Sequence, residues 1–307
     1  MKLMGNNFDF VVVARDADWA NQRIDNAVRE IKRIEILLTT FSASSETSRI
    51  NAAAGISAVK VSREVFNLVE RCNRIAAITD GAFDISYGSI DKSLWNFDRT
   101  MTSLPDPKTA GHMVRLINYR NIELDQHECS VFLRLKGMRI GFGGIGKGYA
   151  ADMAKSVMLN EGVESGIINA SGDMITWGNQ ANGKPWTVGI ADPDNTQLPF
   201  SYLSISNLAI ATSGNYEKYV MIGGKKYSHT INPKTGLPVT GIKSVTIITA
   251  NAELADALAT PVTVMGIRSG LHLVNQMQQV ECIIIDDTNK IYTSKNIHLH
   301  ETDAQYR

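Results

Sequence analysis

The chain has 307 residues, enough to bury a substantial core as one large domain or two intimate lobes. Its composition, 44% hydrophobic and 20% charged, is that of an ordinary globular protein. Thirty-one basic residues balance thirty-one acidic ones, so no electrostatic footprint marks a nucleic-acid backbone or an anionic membrane as a partner.

In chain order, Met1 to Gly5 leads directly into a strand over 8–14 and carries no apolar stretch of the signal-peptide kind. Such a start suits a cytoplasmic protein, or equally a mature chain whose export or lipidation segment has been removed. Asp16 or Asp18 caps a helix whose apolar stripe is Ile24, Val28, Ile31, Ile34, Leu37 and Leu38, ending near Thr40. A polar loop from Phe41 to Ser48 leads to Ile50-Asn51. Ser62 caps a second helix, with Val65, Phe66, Val69, Cys72, Ile75 and Ala76 buried, and the turn dipeptide Asp80-Gly81 stops it. The stretch from Trp95 to Pro107 is turn-rich. Strands are predicted over 122–124, 130–135 and 138–142, with Arg134, Lys136 and Arg139 on one solvated sheet face. A glycine loop then opens a helix over 149–159.

A strand over 166–169, the loop 170–173 and strands over 187–190, 203–206 and 209–212 follow. A hairpin joins 216–222 to 226–230 across Gly223-Gly224. Last come a turn at 232–236, a strand over 244–249, a helix over 252–265 and a strand over 280–285. Strands outnumber helices and many are hairpin-connected, so the pattern predicts an α+β fold with mixed or antiparallel sheets and packed helices, in one domain over 1–307. No apolar run is long enough to span a bilayer. Cys72 and Cys282 sit in apolar periodic segments and Cys129 in a polar turn; an odd count without a CxxC pair argues against a disulfide framework.

The chemistry concentrates first at Gly141-Phe142-Gly143-Gly144-Ile145-Gly146-Lys147-Gly148-Tyr149. As a dinucleotide fingerprint it has its strand and helix, but the acidic residues about 20 positions on, Glu161 and Glu164, lie at a helix end and in a turn. As a Walker A loop it lacks the hydroxyl that ligates magnesium, because Gly148 stands there. Close packing of strand on helix accounts for one or two glycines, not for five beside a lysine. Free N–H groups at a helix start favour an anion, so the loop reads as a phosphate site with its ligand left open.

A second constellation lies at 251–261. Asp256 and Thr260, four residues apart, share one face of an otherwise apolar helix, and Pro261 cannot bond to the Ala257 carbonyl. Carboxylate, hydroxyl and carbonyl oxygens suit a hard cation such as magnesium. An Asp in the first helical turns and a Thr bonding back to its own helix account for the same residues equally well.

Five segments in this order resemble one family: 45–51 (SETSRIN), 81–85 (GAFDI), 143–152 (GGIGKGYAAD), 211–216 (ATSGNY) with 229–236 (HTINPKTG), and 255–260 (ADALAT). Together they look like the ApbE family of FAD:protein FMN transferases, over nearly the whole chain. The resemblance implies a two-lobed architecture with FAD between the lobes, and magnesium-dependent transfer of FMN from FAD to a Ser or Thr hydroxyl of an acceptor protein, releasing AMP. It implies metal ligation by Asp256, Thr260 and the carbonyls of Gly144 and Ala259. FAD would lie against Met4, Phe41, Ala82, Phe83, Asp84, Gly141, Lys147 and Thr230, with Asn51 near the metal. The acceptor it implies is a flavoprotein such as a subunit of a membrane redox pump, and the location periplasmic or lipid-anchored.

Lys147 and the helix start would help neutralise the pyrophosphate. His229 is the candidate general base, since histidine ordinarily titrates near neutrality; a role in capping the following Asn-Pro turn is the alternative. The chain departs from the family at Gly141, where Asp is usual and supplies an acceptor to FAD. Asn232 replaces a common Asp, Phe41 a frequent Tyr, and Pro261 is unusual. Rival readings are an FAD pyrophosphatase using water, a non-catalytic FAD-binding protein and, last, a nicotinamide oxidoreductase.

Overall fold

The computed structural model describes residues 1–91, 101–191, 199–214 and 219–297. Trp95, Asn215, Tyr216, His298 and His300 lie outside the described residues. Every strand pairing among those described is antiparallel. The main sheet has eight strands, in spatial order Lys2–Leu3, Asn6–Val12, Gly166–Ala170, Asp173–Trp177, Ala209–Gly214, Ile242–Thr249, Glu281–Asp286 and Ile291–Thr293. Three smaller sheets join Val59–Lys60, Ser130–Leu133 and Ile122–Asp125; Trp186–Ala191 and Pro199–Ile205; and Tyr219–Ile222 and Lys225–Ser228. This is an α+β fold with antiparallel sheets and packed helices, as predicted.

The helices are α1 (Ala17–Leu38), α2 (Glu46–Ala52), α3 (Arg63–Ile78), α4 (Pro107–Met113), α5 (Gly146–Asn160) and α6 (Ala252–Val274). Asp16 caps α1 by accepting from Trp19 N, and the predicted stripe is its inner face: Val28, Ile31, Ile34 and Leu38 are buried. Ser62 caps α3 through Val65 N. One continuous core from Leu3 to Ile284 takes in α1, α3, α5, α6 and the inner face of the main sheet. Side chains fully buried there, such as Phe8, Ile31 and Ile168, each contribute about 1.5–3 kcal/mol of transfer free energy.

Four expectations need correction. The serine-rich stretch read as a loop becomes α2 from Glu46, because the Ser45 hydroxyl caps it by accepting from Ser48 N at 3.0 Å. The strand predicted over 138–142 is an extended segment without a ladder, and Ser130–Leu133 ends before the basic run, so Arg134, Lys136 and Arg139 do not share a strand face. The loop at 170–173 is a two-residue hairpin turn, with Ser171 at φ 53° and Gly172 at φ 98°, leading into the unpredicted strand Asp173–Trp177. Finally, α6 runs through Pro261 and breaks at Gly266 (φ 80°), then continues to Val274. That helix is long and apolar enough to cross a membrane by length and composition, but its first half is packed into the core.

Polar contacts tie α3 to three neighbouring helices, α5, α1 and α6. The Tyr149 hydroxyl donates to Glu64 at 2.7 Å, Arg33 reaches both Glu64 oxygens at 2.8 Å, and Arg71 makes a two-pronged pair with Glu253 at 2.6 and 2.9 Å. The Arg33 guanidinium holds the Glu64 carboxyl below its ordinary value of 4.5, against the opposing effect of burial, with Tyr149 assisting. A depressed carboxylate stabilises the fold above its unfolded pKa and loses that contribution as pH falls through the folded value. Thermal melts on acidification should therefore show a shallower loss of stability for Glu64→Gln than for the wild type; parallel curves would remove Glu64 from the acid response.

Candidate active site

The residues before the glycine loop have no sheet ladder, and side chains take its place. The Asn51 amide brackets the backbone of one residue, accepting from Ile140 N at 2.7 Å and donating to the Ile140 carbonyl at 3.0 Å. Gly141 N donates to the Ile85 carbonyl at 2.9 Å, and Arg139 N to the Ser89 hydroxyl at 2.8 Å. Asn51 therefore acts on this segment through the backbone that leads into the loop.

The GAFDI segment lies against the same loop. Phe83 is buried, and its ring edge would be 3.8 Å from a Cβ on Gly144; the Met4 methyl would be 3.5 Å from one on Gly146. Asp84 is buried and caps the short 3-10 helix Ile85–Ser89, accepting from Ser86 N, the Ser86 hydroxyl and Tyr119 N at 2.8, 2.6 and 2.6 Å. Burial raises its pKa, and those donors pull it back down. Ala82 is half-buried beside it.

The loop enters α5 earlier than predicted, at Gly146, so Lys147 and Gly148 lie in its first turn. Gly148 N donates to Asp256 Oδ2 at 3.0 Å, and Lys147 Nζ sits 3.1 Å from Asp256 Oδ1. The ammonium is also 3.0 Å from Asp173 Oδ2. All three side chains are largely buried, at 21%, 10% and 8% exposure for Lys147, Asp173 and Asp256. Burial works against the lysine's charge, but Asp256 and Asp173 outweigh it and hold its pKa above the ordinary lysine range. Burial and the neighbouring Asp256 raise the Asp173 carboxyl despite Lys147.

Gly148 is required by packing. A Cβ there would lie 2.1 Å from the Ala252 carbonyl oxygen and 2.9 Å from Asp256 Cβ, so α5 approaches the start of α6 backbone to backbone. That contact explains why no Walker hydroxyl stands at 148. Asp152, one turn on, accepts from Ala252 N and Glu253 N at 2.9 and 2.8 Å, capping α6 from the neighbouring helix.

Of the other predicted ligands, Thr260 is exposed one turn beyond Asp256, and the buried Ala259 accepts from the Thr263 hydroxyl at 3.1 Å. Among the described residues no three His, Cys, Asp or Glu side chains converge as a metal cluster. Two carboxylates around one ammonium nonetheless leave one buried excess negative charge, one helical turn from the Ala259 carbonyl and the Thr260 hydroxyl. This set fits a hard divalent cation held partly by neutral oxygens.

His229 is half-buried just past Lys225–Ser228, and Thr230 beside it is buried. Their turn reaches the GAFDI segment through an ion pair of Lys234 with Asp80. Phe41, 99% exposed, presents a bare ring between α1 and α2. Gly141 is not forced by packing, since a Cβ there would meet only Thr40 Cγ2, at 3.9 Å. A cleft of about 560 Å³ lies instead between α3, α5 and α6, lined by Arg71, Lys155 and Glu253 among others. It is open and holds none of the predicted ligands. Sequence reasoning missed Asp173; a Ser-Gly pair between alternating segments was the available signal.

The profile of the ApbE family matches residues 4–284. An FAD:protein FMN transferase of Klebsiella pneumoniae is 32% identical over 281 residues, covering 90% of this chain and 87% of that protein. One from Treponema pallidum is 28% identical, covering 92% and 82%. A crystal structure of the ApbE protein from Thermotoga maritima superposes with a TM-score of 0.85 at 28% identity, over 95% of both chains. The flavin transferase ApbE of Vibrio cholerae shares the fold with a TM-score of 0.83 at 23% identity, over 96% of both. The chain belongs to the ApbE family.

Proposed function

We propose that this protein transfers FMN from FAD to a Ser or Thr hydroxyl of an acceptor protein, with AMP as the leaving group and magnesium required. The observation that carries this reading is the buried Lys147–Asp173–Asp256 cluster at the first turn of α5, with its net negative charge. The names of the relatives support FAD as donor and a protein as acceptor. Residues 1–307 work as one domain with FAD between two lobes; the large core shared by α1, α3, α5, α6 and the main sheet supports the first part of this.

Asp256, Thr260 and the carbonyls of Ala259 and Gly144 would hold the metal, which when bound supplies charge neutralisation for a pyrophosphate. Phe83, Met4 and Phe41 offer apolar surface for the flavin. Lys147, at the positive end of the α5 dipole, binds phosphate oxygens. His229 accepts the acceptor hydroxyl's proton, the freed oxygen bonds to the FMN phosphorus, and the bond to the AMP phosphate oxygen breaks. The acceptor would be a flavoprotein such as a subunit of a membrane redox pump.

The test is chromatography of FAD incubated with the protein, an acceptor and magnesium, or EDTA in its place. AMP should form only with magnesium. Its absence in both samples would refute the reading.

A further inference from the structure

Asp173 has no place in the mechanism above, yet it is one of the most deeply buried charged groups in the molecule. It opens the strand Asp173–Trp177 directly after the Ser171-Gly172 turn, so its backbone is fixed in the main sheet. Its carboxylate lies 3.0 Å from Lys147 Nζ, on an ammonium that is also 3.1 Å from Asp256 Oδ1. Lys147 thus occupies an oxygen that the proposed function assigns to a divalent cation.

A cation arriving at Asp256 must displace the ammonium from that oxygen. Displaced without another partner, Lys147 would be an unpaired buried charge, a costly arrangement. Its other carboxylate partner is Asp173. We propose that Asp173 is a positioning residue: it retains the Lys147 ammonium so that Asp256 can exchange that contact for a divalent cation. This inference rests on the metal reading given above. Asp173 itself needs no contact with metal or FAD; it acts through the lysine and keeps it beside the phosphate site after the exchange.

The test measures magnesium binding without FAD by isothermal titration calorimetry, in the wild type, Asp173→Asn, Lys147→Met and the double variant. Asp173→Asn should weaken magnesium binding about tenfold, the scale of one lost charge-assisted partner. The same substitution added to Lys147→Met should change affinity far less, because the lysine that needed a partner is gone. Wild-type affinity in Asp173→Asn, or an equal loss in both backgrounds, would overturn the positioning role; the second result would mean that Asp173 attracts the cation directly. No magnesium binding by the wild type would overturn the metal reading and this inference with it. Circular dichroism checks folding. Should Asp173→Asn fail to fold, Asp173→Glu serves: a longer carboxylate should keep most of the affinity, and a tenfold loss there would count against the proposal.

Discussion

Asp256→Ala is expected to reduce metal-dependent AMP release by roughly a thousandfold, the scale of losing a group that holds charge against a transferring phosphoryl. Both oxygens of this carboxylate are committed, Oδ1 to Lys147 and Oδ2 to Gly148 N. The substitution removes the one charged metal ligand in the set and leaves Lys147 paired with Asp173 alone, converting a site with excess negative charge into a neutral one. It also strands the Gly148 N–H in a buried position, costing about 1–3 kcal/mol of stability. Measuring AMP release and the melting temperature together separates the effects. Near wild-type turnover in a folded Asp256→Ala protein would remove Asp256 from the site.

Gly148→Ala should be strongly destabilising. The added carbon would face the Ala252 carbonyl oxygen at 2.1 Å and its carbon at 2.5 Å, both rigid backbone atoms at the start of α6. Relief requires α5 and α6 to separate, which would pull Asp152 from its two capping bonds and Asp256 from the loop. Overpacking against backbone costs about 3 kcal/mol, a fall in melting temperature on the order of 10 °C. Gly143→Ala is the control, since nothing lies within 4 Å of its would-be Cβ and its φ is not positive. Equal melting temperatures for the two variants would show that the close approach does not constrain the helices.

The parts of the fold legible in the sequence are those governed by local periodicity. The α1 stripe, the Ser62 cap and the Gly223-Gly224 hairpin follow from spacing of one turn or less, and the structure has them all. The misses share a different cause. The 138–142 segment alternates like a strand, but its partners are an asparagine amide and the distant 3-10 helix Ile85–Ser89, which no local pattern encodes. Asp173 was hidden because its partner Lys147 is 26 residues away in sequence (173 − 147) and only the fold brings the two together. Gly148 carried a visible signal, a glycine where Walker chemistry wants a hydroxyl. Its reason, the Ala252 carbonyl, lies more than 100 residues further on. Motif order revealed the family where single motifs did not, and the segments with Asn51, Phe83 and Asp256 all meet the glycine loop or the residues leading into it.

The central claim is covalent transfer of FMN to a protein hydroxyl, and mass spectrometry of the acceptor tests it most directly. An acceptor protein incubated with this protein, FAD and magnesium should gain one FMN as a phosphoester on a Ser or Thr, with an equal amount of AMP released. An acceptor with that hydroxyl replaced by Ala should gain none. AMP without any acceptor adduct would contradict transfer and assign the site to hydrolysis of FAD.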